Sequence, residues 1–486
     1  MKAKKFCIIV LVLAIALFIA PISESKAEEE PDIKSSGDYE YIVLGDETAC
    51  ITKYKGEDEE VIIPEELNGI KVTGIGDLAF LYRENLKEIK ISNSVEKIEN
   101  NAFYGCKNLL NIEISDDHPT LEFIDNALIY KPEKRLVSYL SSSEESKYEI
   151  PEGIKIIGDS AFSGCKNLEK INISDSVQLI GDSAFAFCDK ITEITIPYSV
   201  QSIGNAAFSF CKNLTKIKLP DSLQFIGDSA FSICENLEGI NIPDRVKSIG
   251  DNAFYGCYNL KKINIPDSVK SIGDSAFSSC ESLEEIYISD DVQSIGDSAF
   301  AFCDKITEIT IPDSVEKIGE NPFYGCTNLL NIEISDNHPI LEFIDNALIY
   351  KPEKKLVIYL STSKESKYEI PKEIEIIGDI AFYGCKNLKE INIPDGVQLL
   401  GDKAFEGCTN LDEIKIPDNV QSIGFNAFFR CINLKKINIP ESVKTIGKDA
   451  FEDCDNLTVT VEKGSFAEKY CIANNIKYMY EDSLKN

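Results

Sequence analysis

Cysteine and histidine are the two residue types here whose spacing could carry metal, redox or nucleophilic chemistry, and the 486 residues hold sixteen of the first and two of the second. Cysteines at 165, 188, 211, 234, 257, 280, 303 and 326 step by 23, as do those at 385, 408, 431 and 454. The steps from 106 to 165 and from 326 to 385 are 59, one repeat plus 36 residues. No Cys-x-x-Cys pair accompanies them, and a self-similar period of this length marks a structural repeat. Sixteen cysteines would ordinarily suggest a disulfide framework. Thirteen of them, however, fall on one apolar column of the repeat, where cysteine serves as a small hydrophobic side chain. Neighbouring repeats about 4.8 Å apart would point these thiols the same way, a poor geometry for bridging, so reduced thiols are expected. Cys50 and Cys471 lie outside the column near opposite ends.

His118 and His338 occupy equivalent places eight cysteine steps apart, roughly 40 Å along such an array. They cannot share a site, which removes a two-histidine metal centre and leaves a Ser-His-Asp triad without support. Each precedes a proline and is read as a turn residue. An aspartate recurs after glycine (Asp159, Asp182, Asp228, Asp251, Asp274, Asp297, Asp379, Asp402). A calcium ladder is one reading of that column and a helical N-cap the favoured one, because no Gly-Gly-x-Gly-x-Asp repeat accompanies it. A phosphate-cradling glycine loop is also missing. No catalytic, cofactor-binding or metal-ligating residue is expected.

The elements that position these residues follow from one unit, Cys257 to Ser279. Its recurring apolar positions are Cys257, Leu260, Ile263, Ile265, Val269, Ile272, Ala276 and Phe277. Ile263-Asn264-Ile265 alternates with the period of a half-buried strand, and Pro266, Asp267 and Ser268 turn the chain after it. A second extended piece, Val269 to Ile272, runs into Gly273. Asp274 or Ser275 is then placed to cap one helical turn carrying Ala276 and Phe277. One such coil cannot bury its own apolar face, so the units must stack, share a core and pair their strands in parallel. Fourteen Phe-x-x-Cys frames, from Phe80 (where Arg83 takes the cysteine place) to Phe451, predict a solenoid body roughly 65 Å long.

Residues 1–27 have the form of a secretory signal, with Lys2, Lys4 and Lys5 before an apolar run and Ser25-Lys26-Ala27 at the cleavage position. Residues 28–38 are expected as a flexible acidic lead-in and 39–75 as an N-terminal β cap. The solenoid is expected over 76–456 and a C-terminal strand-helix-strand cap over 457–486. Islands near 116–148 and 336–368 each contain Ile-Asp-Asn-Ala-Leu-Ile-Tyr, a Lys-Pro-Glu-Lys turn and a second apolar run, which is a hairpin signal. Either they decorate a binding face or they form an enlarged coil. GDSAFAFCDKITEITIP at 181–197 recurs at 296–312, so the array grew by copying blocks.

The net charge is −31. Such acidity argues against nucleic acid, whose backbone demands clustered Lys and Arg, and disfavours an anionic lipid surface. After signal cleavage no segment is long and apolar enough to span a membrane. Along the Ile-x-Ile strand the outward positions stack into two rows, Thr195, Lys218, Asn241, Asn264, Tyr287 and Thr310 beside Glu193, Lys216, Gly239, Lys262, Glu285 and Glu308. These rows are the candidate binding face.

The pattern L-x-x-I-x-I-P-x-x-V-x-x-I-G-x-x-A-F-x-x-C, seen in Leu260 to Cys280, resembles the BspA-type leucine-rich repeat. The islands and the Gly464 to Tyr470 ending are similar to that family too, and the likeness runs over about residues 39–480. It implies a right-handed leucine-rich-repeat superhelix with short parallel strands and single helical turns, capped at both ends. It also implies an exported or surface-associated protein, of a family with members implicated in adhesion to host matrix proteins, host cells or other microbes, and it carries no catalytic residues. The expected partner is an extracellular protein or glycan, and the alternative is a structural surface component without a specific receptor. Oligomeric state is not legible in the sequence.

Overall fold

The computed structural model describes residues 32–481. The signal expected at 1–27 lies outside them. The described chain is a parallel β-solenoid with little helix. Each coil contributes two short strands, as in Lys262–Ile265 and Ser271–Ile272, and each strand pairs with its counterpart 23 residues on, Glu285–Ile288 and Ser294–Ile295. Side chains of the Ile-x-Ile strand alternate in and out, so Ile263 and Ile265 are buried while Lys262 and Asn264 are exposed. The second strand forms the longer ladder. Through the middle of the chain eight of these strands follow three island strands in one eleven-stranded sheet, and toward the C-terminus four follow three in a seven-stranded one.

The third side of the coil differs from the expected helical turn. Ser275 and Ser279 have φ of 53° and 62°, left-handed values that no α-helix contains. The N–H groups of Ser275, Phe277 and Ser279 reach forward to carbonyls of Asp297, Ala299 and Ala301 at 2.7–2.8 Å. Those of Ala276, Ser278 and Cys280 close back on the residue three before. Alternation of the two directions makes this turn a third inter-coil ladder. The aspartate after glycine belongs to it, which corrects the N-cap reading: Asp274 Oδ1 accepts from the N–H of Asp297 at 2.7 Å, as Asp251 accepts from Asp274. A helical cap would satisfy a donor two or three residues ahead; here the donor lies one coil ahead. The preceding glycine is required by approach, since a Cβ on Gly296 would stand 2.5 Å from Asp274 Oδ1.

Inside, the repeat's phenylalanines form a column. Phe162, Phe185, Phe208, Phe231, Phe254, Phe277, Phe300 and Phe323 stack at 5.1–5.9 Å between centroids and within 14° of parallel. Beside them the thiols of the cysteine column donate to the phenylalanine carbonyl of the preceding coil, Cys257 to Phe231 and Cys280 to Phe254 at 3.2–3.3 Å. Every described cysteine is unbridged. Burial pushes the Cys257 thiol up to about 12, so thiolate chemistry is suppressed there. Asparagines form another row, in which the Asn236 and Asn259 amides each donate to the asparagine one coil back.

The islands are enlarged coils that partition the interior. Leu121–Ile124, Ala127–Tyr130 and Arg135–Tyr139 make an antiparallel meander, and the last strand pairs in parallel with Ile156–Ile157 of the next coil. Its first turn, Asp125-Asn126 with φ of 50° and 66°, is a two-residue hairpin turn that the sequence reading passed over. Both faces of the meander's second and third strands are buried, in different cores. Leu128 and Val137 pack with the N-terminal core, while Ala127, Ile129, Leu136 and Tyr139 pack with the middle one. The second island repeats this, with Leu348 and Val357 on one side and Ala347, Ile349, Leu356 and Tyr359 on the other. Tyr139 and Tyr359 each begin a new aromatic stack, on Phe162 at 5.2 Å and on Phe382 at 5.4 Å.

At the N-terminal end, Lys34–Ser36 pairs with Tyr39–Val43, so part of the expected flexible lead-in is a strand. Parallel pairing begins where Ala49–Tyr54 meets Ile70–Ile75. At the other end Thr458–Val461 pairs with Tyr478–Tyr480, and helix Phe466–Ala473 crosses between them. Ser465 caps that helix by accepting from the N–H of Glu468, and Tyr470 packs edge-on against Phe451 at 6.1 Å, closing the last stack.

Candidate binding face

The outward residues of the Ile-x-Ile strand alternate with inward apolar ones that fix them to the core. Register then aligns them: Glu193 pairs with Lys216 and Thr195 with Lys218. Lys262 pairs with Glu285 and Asn264 with Tyr287, while Glu308 and Thr310 lie beside Asn331 and Glu333. Between the first two groups the ladder is carried by Gly239, bridged to Lys216 and Lys262. Glu193, Thr195, Lys216, Lys218, Asn241, Lys262, Asn264, Glu285, Tyr287, Glu308 and Thr310 are all exposed. The strands that bear them pair only two at a time in this region, so the face is a row of short ribbons rather than one sheet.

Chemically the row divides in two. Lys262 forms an ion pair with Glu285, Thr310 donates to Glu333 at 2.9 Å, and Glu308 accepts from Asn331 at 2.8 Å. Such exposed pairs contribute about 0–1 kcal/mol each. Lys218, Asn241, Asn264 and Tyr287 have no side-chain partner among the described residues, and Tyr287 is 55% exposed. A row offering an aromatic ring, an amide and a cation suits contact with another surface.

The histidines are structural. His118 is 1% exposed; its Nδ1 accepts from the N–H groups of Thr120 and Leu121 at 3.3 and 3.1 Å, and its Nε2 faces the Ser92 carbonyl at 3.3 Å. His338 repeats the arrangement against Ile340, Leu341 and Pro312. Burial holds both imidazoles below their ordinary pKa, consistent with neutral rings bonded at both nitrogens. No group of three or more His, Cys, Asp or Glu among the described residues is arranged to hold a metal ion. No helix among them is long and apolar enough to cross a membrane. Sequence reasoning missed the second exposed row, on the Ser-Ile strand, where Leu179 and Phe225 stand 41% and 52% exposed; its signal was a variable residue one place before the invariant Ile-Gly.

Among solved structures, the chain is 28% identical to a leucine-rich repeat protein from Bacteroides ovatus, over 94% of this chain and 100% of that one, with a TM-score of 0.44. It is 26% identical to a leucine rich cell surface protein from Faecalibacterium prausnitzii, over 92% and 98% of the two chains, with a TM-score of 0.35. No protein of curated function matches. The family described as "BspA type Leucine rich repeat region (6 copies)" matches residues 59–131, 138–261, 247–359 and 357–478. Those matches cover most of the chain, which belongs to the BspA-type leucine-rich repeat family.

Proposed function

We propose that this protein is an exported, surface-exposed interaction factor that binds an extracellular protein or glycan through the outward rows of its Ile-x-Ile strand. The observation that carries the reading is the row itself: eleven exposed side chains, repeated at coil spacing over a fully packed core. Repeat solenoids of this kind serve as interaction scaffolds, and many weak equivalent contacts give avidity without any single deep pocket. An acidic chain of net charge −31 is suited to an aqueous extracellular surface and unsuited to nucleic acid. The signal at 1–27, the lead-in and the caps belong to the same proposal, as does the absence of catalysis. A structural surface component without a receptor is the second reading, favoured by the part of the face whose charges already pair with one another.

Two measurements test it. Protease shaving of intact producing cells should release peptides of this chain, and purified residues 28–486 should bind saturably to at least one of a panel of matrix proteins, host cells and immobilised glycans. Binding to none of them sinks the receptor reading and leaves the structural one.

A further inference from the structure

The two islands interrupt the third ladder at equivalent places, and the interruptions differ. At the first, the space between Phe103, Tyr139 and Ser163 is about 30 Å³. At the second, the corresponding space between Phe323, Tyr359 and Tyr383 is about 580 Å³, within the range of small-molecule sites. Several of the lining residues that differ lie in the coils after each island, 220 positions apart. Ser163, Ala186, Phe187 and Phe210 in the first copy are Tyr383, Glu406, Gly407 and Arg430 in the second. Phe187 and Phe210 stack on each other at 4.8 Å. Gly407 leaves that place open: a Cβ there would meet nothing nearer than 3.6 Å.

The lining of the open cleft is specific in what it lacks. Tyr324 and Tyr383 meet edge to face at 4.8 Å and present ring surface. Glu406 Oε2 is buried without a hydrogen bond, its nearest cation being Lys403 at 3.9 Å. The N–H groups of Phe323 and Gly325, like those of Phe103 and Gly105 at the first island, lack the forward carbonyl of a regular coil among the described residues, because each island displaces the next coil. Lys386 and Arg430 line the same cleft. An anion would meet Glu406, a cation would meet Lys386 and Arg430, and a wholly apolar group would leave Glu406 unpaired at a cost. A sugar fits all of these, since each hydroxyl both donates and accepts and the C–H face of the ring packs on an aromatic surface.

We propose that the cleft at the second island is a carbohydrate-binding site, with a sugar ring against Tyr324 and Tyr383 and its hydroxyls between Glu406 and the Lys386 and Arg430 side chains. The site lies on the turn side of the coil and stands independently of the strand face. Saturation-transfer NMR on residues 28–486, which hold every described coil, with glucose, galactose, mannose, N-acetylglucosamine and lactose at millimolar concentration tests it. At least one sugar should give a saturable signal. Tyr383→Ser and Gly407→Phe, which install the residues of the first copy, should each weaken it at least roughly tenfold. Phe187 already adopts φ of 61° against 74° at Gly407, so the second variant should fold, with an unchanged thermal transition as the check. Saturation by none of the five sugars overturns the proposal. So does binding that survives both substitutions, or binding lost on replacing Lys218, Asn264 and Tyr287 with the cleft intact.

Discussion

The two islands are nearly the same sequence and nearly the same structure, and yet they produce different surfaces. Each is a three-stranded meander whose second and third strands are buried on both faces, each starts a new aromatic stack, and each uses a buried histidine to bind the turn into its first strand. They part where they meet their neighbours. At the first, the guanidinium of Arg135 is buried and donates to Asn100 at 2.5 Å and to the Ile98 carbonyl at 3.2 Å. At the second, Lys355 reaches only the Glu320 carboxylate at 2.6 Å. The coils that follow then close the first junction and open the second. A repeat fold keeps its interior by copying and acquires a site where a copied junction is left unfilled.

The sharpest way to break the equivalence of the islands is to remove the ring that starts each stack. Tyr139→Ala and Tyr359→Ala should each cost about 3–5 kcal/mol, as for other large buried aromatics, read from chemical or thermal unfolding. A large loss at one and none at the other would mean that the islands are not matched partitions. The junction contrast predicts the next effect. Arg135→Ala strands buried acceptors and should cost about 2–3 kcal/mol, whereas Lys355→Ala removes one ion pair with a half-exposed partner and should cost about 1 kcal/mol or less. Equal losses would erase the distinction.

A smaller effect should appear with pH. The folded pKa values of His118 and His338 are lowered, so their contribution to stability is present above the unfolded value of about 6.5 and is lost as pH falls toward the folded values. Melting temperature should therefore drop on acidification from neutral to about pH 5, and His118→Asn or His338→Asn should flatten the two profiles alike. The mildest test is chemical. In the native protein a thiol reagent should label only Cys50, the one described cysteine that is not buried, and should reach the column only after denaturation. Fewer reactive thiols on denaturation than the described cysteines supply would mean that the column is bridged.

Much of this was legible from residue spacing. The 23-residue coil, its apolar positions and the buried cysteine column follow from period alone, because a core repeated in register admits few substitutions. The third ladder was hidden. Asp274 has the side chain of an N-cap, and its true donor lies one coil away, where local patterns do not reach. The signal that could have exposed the left-handed turns was the position before each cysteine, which is glycine at 105, 164, 256, 325, 384 and 407. The islands read correctly as strands, but a run such as Ala127-Leu128-Ile129 reads the same whether it covers one core or divides two. The cleft was illegible for a further reason: it depends on Tyr383, Glu406, Gly407 and Arg430, spread over three coils and meeting only in the stack.

The most direct test of the account compares saturable binding of residues 28–486 with that of a Lys218→Ala, Asn264→Ala, Tyr287→Ala variant, on the same matrix-protein surface and at several salt concentrations. If the strand face is the interaction surface, the variant binds at least about tenfold more weakly while its melting temperature is unchanged, because all three side chains point to solvent and support no buried contact. Binding equal to that of the unaltered protein would contradict the assignment and move the interaction off the Ile-x-Ile strand.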